Sequence, residues 1–303
     1  MAAWRGRRAD GRSTYIKISH QGLENPLRYR RLKKRAGSRF VVFLHDLIPI
    51  RFPEYARPGA AARHRQRVRT IASLADLVVV NSASTARDFA DYCQAHRLRQ
   101  PETATVELAV EPAFMERTAI ASNAENYFVC VGTIEPRKNH LLLLNIWRDM
   151  ILRHGTAAPK LVLIGRRGWE NENIFDMLNR CAAFPGHVMW LRTASDEDIR
   201  RSLRGARALL MPSFAEGFGL PVAEALALGV PVLSSDLPSL REAGQGVPDY
   251  LDPLDGLGWM RAIMDYAAEP SPARIAQLQR LDRFRPISWS DHFSAFERLA
   301  FSA

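Results

Sequence analysis

From residue 127 onward, short apolar runs alternate with amphipathic stretches of helical length. That alternation restricts the second half of the chain to a parallel α/β sheet, because parallel neighbours are joined by helical crossovers. The runs predict strands at 127–134, 160–165, 187–192, 208–212 and 231–235, with helices at about 139–154, 172–182, 195–205 and 220–228. Ser195-Asp196-Glu197-Asp198 supplies an N-cap and first-turn acids for one of them. Ligands of such sheets sit at the carboxyl ends of the strands. Arg137, Lys138, Glu216 and Gly219 each fall just past a predicted strand. The first half reads more faintly, with strands at 15–19, 40–44, 77–81 and 103–108 and helices near 60–74 and 83–94.

The stretch Ser213-Phe214-Ala215-Glu216-Gly217-Phe218-Gly219-Leu220-Pro221-Val222-Ala223-Glu224-Ala225 carries two carboxylates, one in a glycine-bearing loop and one in the helix that follows. Pro221 suits a first helical turn, where its missing N–H costs nothing. Gly217 and Gly219 let backbone amides approach a ligand, and a helix N-terminus favours an anion. A phosphate on the amides and hydroxyls on the carboxylates is the outline of a sugar-nucleotide. As acids near a helix start, the pair is expected to contribute about 1 kcal/mol or less to stability.

This segment resembles the E-x7-E signature of retaining GT-B glycosyltransferases of family 4, the glycosyl transferases group 1. Three further stretches are similar to that family in order and spacing: Val131-Gly132-Thr133-Ile134-Glu135-Pro136-Arg137-Lys138-Asn139-His140, Leu209-Leu210-Met211-Pro212-Ser213, and Gly229-Val230-Pro231-Val232-Leu233-Ser234-Ser235-Asp236. The resemblance covers roughly 127–255. It implies two Rossmann-like domains facing a cleft, and a hexosyltransferase that uses a nucleotide-sugar with retention. The loop His45-Asp46-Leu47-Ile48-Pro49-Ile50 resembles one in bacterial GT-B mannosyltransferase-like enzymes, and GDP-mannose is carried as the expected donor beside UDP-, ADP- and dTDP-sugars.

Bond cleavage at the sugar C1 leaves negative charge on the departing diphosphate, so cations are needed there. The resemblance assigns that task to Arg137 and Lys138, in place of a metal. It puts Glu216 on sugar hydroxyls, Glu224 on the ribose, and Gly132, Thr133 and the backbone of Phe218, Gly219 and Leu220 around the donor. His45 is expected near the reaction centre, donating to a hydroxyl or phosphate, and His20 has a weaker claim. In such retaining enzymes the leaving phosphate takes the acceptor's proton, so no base is assigned. No D-x-D-like metal motif and no cofactor motif are expected.

Composition bounds the rest. With 47% apolar and 24% charged residues the chain reads as globular, and no apolar run approaches the roughly 18 residues of a membrane span. Positive charge at Met1-Ala2-Ala3-Trp4-Arg5-Gly6-Arg7-Arg8 has no apolar segment behind it, so no signal peptide is expected. Cys93, Cys130 and Cys181 form neither a disulfide framework nor a metal box, which fits a reducing cytoplasm. Residues 1–70 hold 18 Lys/Arg against 4 Asp/Glu. Such a patch fits the anionic inner face of a membrane presenting a glycan or lipid-linked acceptor, and equally a solvated face. Nucleic acid is not expected, since no zinc-finger, RNP-like or helix-turn-helix pattern accompanies the charge.

The expected organisation is a shortened N-terminal acceptor-side domain over 1–112, a nucleotide-sugar domain over 113–286, and a helix at 287–303 crossing back. The opening strand–helix units and glycine-rich loop of the family's first domain are expected to be missing. An alternative therefore stands beside the enzyme: a GT-B remnant that binds nucleotide without catalysis.

Overall fold

A computed structural model describes residues 3–7, 13–36, 39–116 and 126–301. Packing divides the chain into two compact units, Met1–Ala109 together with Ile287–Ala303, and Val110–Pro286.

The first unit contains β1 (Ala3–Arg7), β2 (Ser13–Lys17), α1 (Pro26–Ala36), β3 (Arg39–Leu44), the single turn α2 (Ile48–Arg51), α3 (Ala60–Leu74), β4 (Leu77–Val80), α4 (Ala83–Ala95) and β5 (Glu102–Thr105). Its five strands lie in chain order, β1-β2-β3-β4-β5. β1 runs antiparallel to β2, and the other pairs are parallel, with Val41 opposite Leu77. β3 and β4 are covered on both faces, which explains why they read as unbroken apolar runs. One face packs Phe40, Val42, Val78 and Val80 against Tyr29 of α1, Val68 and Ile71 of α3 and Phe89 of α4. A strand–helix unit does open this sheet: β2 passes through a turn with Gly22 at φ +85° into α1. β2 overlaps the strand expected at 15–19, whereas α1 was not among the expected helices. The helix was hidden because six of its eleven residues are Lys or Arg.

The second unit contains β6 (Tyr127–Val131), α5 (His140–His154), β7 (Lys160–Ile164), α6 (Glu172–Arg180), β8 (Val188–Leu191), α7 (Asp196–Arg204), β9 (Ala208–Met211), α8 (Leu220–Ala227), β10 (Val232–Ser235), α9 (Pro238–Gly244), β11 (Asp249–Leu251), α10 (Gly256–Ala267) and α11 (Pro272–Arg280). Its sheet is parallel throughout, ordered β11-β10-β9-β6-β7-β8. Period-two alternation sends Phe128, Cys130, Leu161 and Leu163 to the α5, α6 and α10 side, and Val129, Ile164, Leu209 and Val232 to the α7, α8 and α9 side. Ser195 and Asp198 close a capping box at the start of α7. The final helix, α12 (Trp289–Phe301), returns to the first unit, where Phe296 and Ala300 pack with Ile16, Val41, Phe43 and Val79.

Strand order locates the site in the second unit. From β6 the chain builds outward through β7 and β8, then jumps to β9 and builds the other way. Connections leaving β6 and β9 therefore diverge to opposite faces, opening a crevice at their carboxyl ends.

Candidate functional site

Two loops meet at that crevice. After β6 the chain reaches Glu135 in extended conformation, and Pro136-Arg137-Lys138 then forms one 3-10 turn that ends at Asn139, φ +55°. Asn139 Nδ2 donates to the carbonyls of Pro212 (3.1 Å) and Pro253 (3.0 Å), fixing this loop to those after β9 and β11. The Phe214 amide donates to Arg137 O at 2.8 Å, and the Ser239 hydroxyl to Glu216 O at 2.8 Å. Beyond Glu216, Gly219 at φ +115° turns the chain into α8. A Cβ there would stand 2.5 Å from Leu240 Cδ2, so the turn requires glycine. Gly165, at φ +152°, is likewise required, because a Cβ would overlap the Gly132 carbonyl.

These loops bring Arg137, Lys138 and Glu216 into one ion cluster. Arg137 Nη1 donates to Glu216 Oε2 (2.8 Å) and to the Ala215 carbonyl (2.9 Å), and Lys138 Nζ donates to Glu216 Oε1 (2.6 Å). Arg137 Nε also pairs with Glu135 at 2.5 Å. The side chains of Glu216 and Lys138 are only 7% and 10% exposed, so this is an enclosed network rather than a surface pair. The expectation of a weakly held loop acid at Glu216 is thereby corrected. Gly132 lies beneath Lys138, and Thr133 lies against Gly168. Phe218 is buried and Leu220 half-buried at the start of α8.

Burial alone would raise the Glu216 carboxyl, but Lys138 and then Arg137 overcome it and hold the group below its ordinary range. For Glu135 burial prevails over the same two cations, and its carboxyl is raised. Glu224, on α8, is pushed up to about 7 by burial, with Asp196 and Glu111 adding repulsion. His140, at the head of α5, is wholly buried and is pushed down to about 3 by burial and by Lys138.

His45 belongs to the first unit and directly follows β3. Its ring lies 5.2 Å from that of His20, which in turn lies 5.0 Å from His64 of α3. The His45 amide donates to His20 Nε2 (3.2 Å), His45 Nε2 sits 2.8 Å from the Ile18 carbonyl, and His64 Nε2 sits 2.9 Å from the Asp46 carbonyl. A ring nitrogen facing a carbonyl must carry the proton. His45 Nε2 is therefore committed to Ile18, and Nδ1 is the ring nitrogen left to meet a ligand. Burial first, then His64 and His45, hold His20 neutral. His64 had no signal in sequence, because α3 delivers it from 19 residues away. Glu135 had one: it directly precedes the Pro-Arg-Lys turn.

Among the described residues no group of three His, Cys, Asp or Glu is arranged to hold a metal ion. No helix among them is long and apolar enough to cross a membrane.

Residues 115–244 match the family model of glycosyl transferases group 1, so the chain carries a domain of that family. Its fold is GT-B, like that of an α,α-trehalose-phosphate synthase from Burkholderia xenovorans in complex with glucose-6-phosphate (TM-score 0.71, 14% identity, 94% of this chain and 72% of that one). Anabaena Alr3699/HepE in complex with UDP is similar to the same degree (TM-score 0.70, 15% identity, 94% and 78%). In sequence the chain is similar to serotype-specific mannosyltransferase WbdA of Escherichia coli, 29% identical over 70% of this chain and 28% of the relative. It is also similar to O-antigen chain mannosyltransferase B of Escherichia coli, 33% identical over 55% and 43%. The chain thus spans less than half the length of these relatives.

Proposed function

We propose that this chain is a retaining hexosyltransferase that takes a nucleotide-sugar, GDP-mannose, as donor and a glycan or lipid-linked acceptor in surface-polysaccharide assembly. The observation that carries the reading is the enclosed Arg137–Lys138–Glu216 cluster at the strand-order switch of a parallel sheet. The similarity to the two mannosyltransferase relatives supports the choice of sugar.

When the C1–O bond breaks, its electron pair stays on the diphosphate, and the sugar becomes oxocarbenium-like. Arg137 and Lys138 stabilise the growing phosphate charge, each through charge-assisted hydrogen bonds. Glu216, already bonded to both, holds them in place and accepts from sugar hydroxyls. Glu224 accepts from the ribose hydroxyls, and Gly132, Thr133 and the backbone of Phe218, Gly219 and Leu220 line the sugar and phosphates. The acceptor oxygen attacks C1 from the face the diphosphate leaves, and the departing phosphate oxygen takes its proton. His45 Nδ1 meets a substrate hydroxyl. The reading puts the reaction in the cytoplasm, at the inner face of a membrane that presents the acceptor.

Calorimetry with GDP-mannose and with UDP-, ADP- and dTDP-sugars tests the donor, and a radiolabelled transfer assay tests the reaction. Arg137→Ala and Lys138→Ala should each weaken nucleoside-diphosphate binding by about 1.5–3 kcal/mol. With two cations facing the leaving group, transfer should persist in EDTA. Unchanged affinity in both variants would remove the pair from the site. A binding protein without catalysis would pass the first assay and fail the second.

A further inference from the structure

Helices α1 and α3 pack on the same face of the first sheet, and neither contains a single Asp or Glu. Leu27, Arg30, Arg31 and Lys34 recur at three- and four-residue spacing along α1 and are all exposed. On α3, Arg65 and Arg69 stand one turn apart on the outward side, with Arg63 flanking them, and all three are exposed.

Two neighbouring acids do not neutralise this surface, because each already serves another cation. Asp76 holds Lys33 (2.6 Å), and Glu24 accepts from Arg67 Nε (2.7 Å). None of Arg30, Arg31, Lys34, Arg63, Arg65 and Arg69 has an ion-pair partner among the described residues. Leu27, 59% exposed, stands at the head of the cationic stripe on α1. An apolar side chain beside fixed cations suits an interface where headgroups and acyl chains meet. The outward positions of both helices carry no aromatic side chain on which a base could stack, which disfavours single-stranded nucleic acid.

We infer that the outer faces of α1 and α3 form a docking surface for an anionic phospholipid bilayer, with Leu27 entering the headgroup layer. The purpose of this docking rests on the reading that the acceptor is membrane-presented, but its physical basis does not.

The test uses the full chain, sedimented with phosphatidylcholine vesicles with and without phosphatidylglycerol, at low and at high salt. Binding should require phosphatidylglycerol and fall as salt rises. Each cation near such a surface contributes about fivefold in partitioning. The triple variant Arg30→Glu, Arg31→Glu, Lys34→Glu should therefore lose about a hundredfold or more, and Arg65→Glu with Arg69→Glu about twenty-five-fold or more. Gln at the same positions, a gentler change, should give a smaller loss in the same order. Equal binding to neutral vesicles, none to anionic ones, or indifference to these substitutions overturns the inference. So does RNA that displaces the protein from vesicles at physiological salt. Nucleotide-sugar calorimetry on the same samples separates the two readings. Intact donor binding without vesicle binding removes the surface alone, and vesicle binding without donor binding removes the proposed function alone.

Discussion

Glu216 is an ionised carboxylate enclosed by protein and shared between two cations, and its loss should have opposite effects on stability and on ligand affinity. Glu216→Gln leaves Arg137 and Lys138 in place with much of their compensation gone. Breaking a buried pair costs about 3–5 kcal/mol, so a clear drop in Tm is expected. The same uncompensated cations should bind free nucleoside diphosphate as tightly as the parent or more tightly, while transfer falls. A variant as stable as the parent, with weaker nucleotide binding, would refute this account of the cluster. Glu224 makes a pH prediction. Its carboxyl stands near 7 when folded, against 4.5 in its ordinary state, so the folded protein holds the proton more tightly. This group's stabilising effect is complete below pH 4.5 and disappears as pH rises through about 7, a loss of about 1–3 kcal/mol. The ionised carboxylate is the stronger acceptor for ribose hydroxyls. Nucleotide-sugar affinity should therefore be full above pH 7 and fall up to about tenfold per unit below it. A nucleotide-sugar keeps its phosphate charge over this range, so the trend reports protein carboxyls, and Glu224→Gln should flatten it where Glu135→Gln does not. A parent profile that is itself flat would remove Glu224 from the ribose.

Among the elements, α8 and α9 are joined through a position that admits no side chain. Gly219→Ala would force a Cβ against Leu240, which is fully buried and has nowhere to move, at a φ that side chains disfavour. A destabilisation of about 1–3 kcal/mol is expected, with donor binding weakened as the α8 start is displaced. A variant with parental Tm and affinity would show that the turn tolerates a Cβ. The strands β6 to β10 were legible because each is a short apolar run, largely buried except in the edge strand β8, and set off by crossovers of helical length. Arg137, Lys138 and Glu216 were legible for the related reason that they follow those strands. α11 was not, since its one buried residue is a glutamine: Gln277 Nε2 donates to the Val232 carbonyl (2.9 Å) and to the Tyr266 hydroxyl (2.8 Å). A polar side chain at a core position defeats any apolar period. α10 did carry a period, Trp259, Ile263 and Tyr266, but lay outside the stretches that resemble the family. Glu135 and His64 act only once a 3-10 turn or a separate helix brings them round, and linear spacing does not encode that meeting.

At the scale of the whole molecule, the first unit is built from two distant pieces of chain. α12 supplies the cover for one face of its sheet, anchored by Phe296 and by His292 Nδ1 at 2.7 Å from the Glu107 carbonyl. Phe296→Ala should cost about 3–5 kcal/mol, seen as a lower Tm. Donor affinity should stay at the parental value, because Arg137, Lys138, Glu216 and Glu224 all belong to the other unit. An unaltered Tm would mean that α12 is dispensable to that core. The arrangement also sets an order of events on the ribosome. At about 5–20 residues per second, residues 110–286 take about 9–35 s to make, and only then does α12 emerge. Throughout that interval Val41, Phe43 and Val79 lack the cover that Phe296 and Ala300 supply. Of these two units, the one translated earlier is thus the one completed later, and during that wait a chaperone for nascent chains has something to hold.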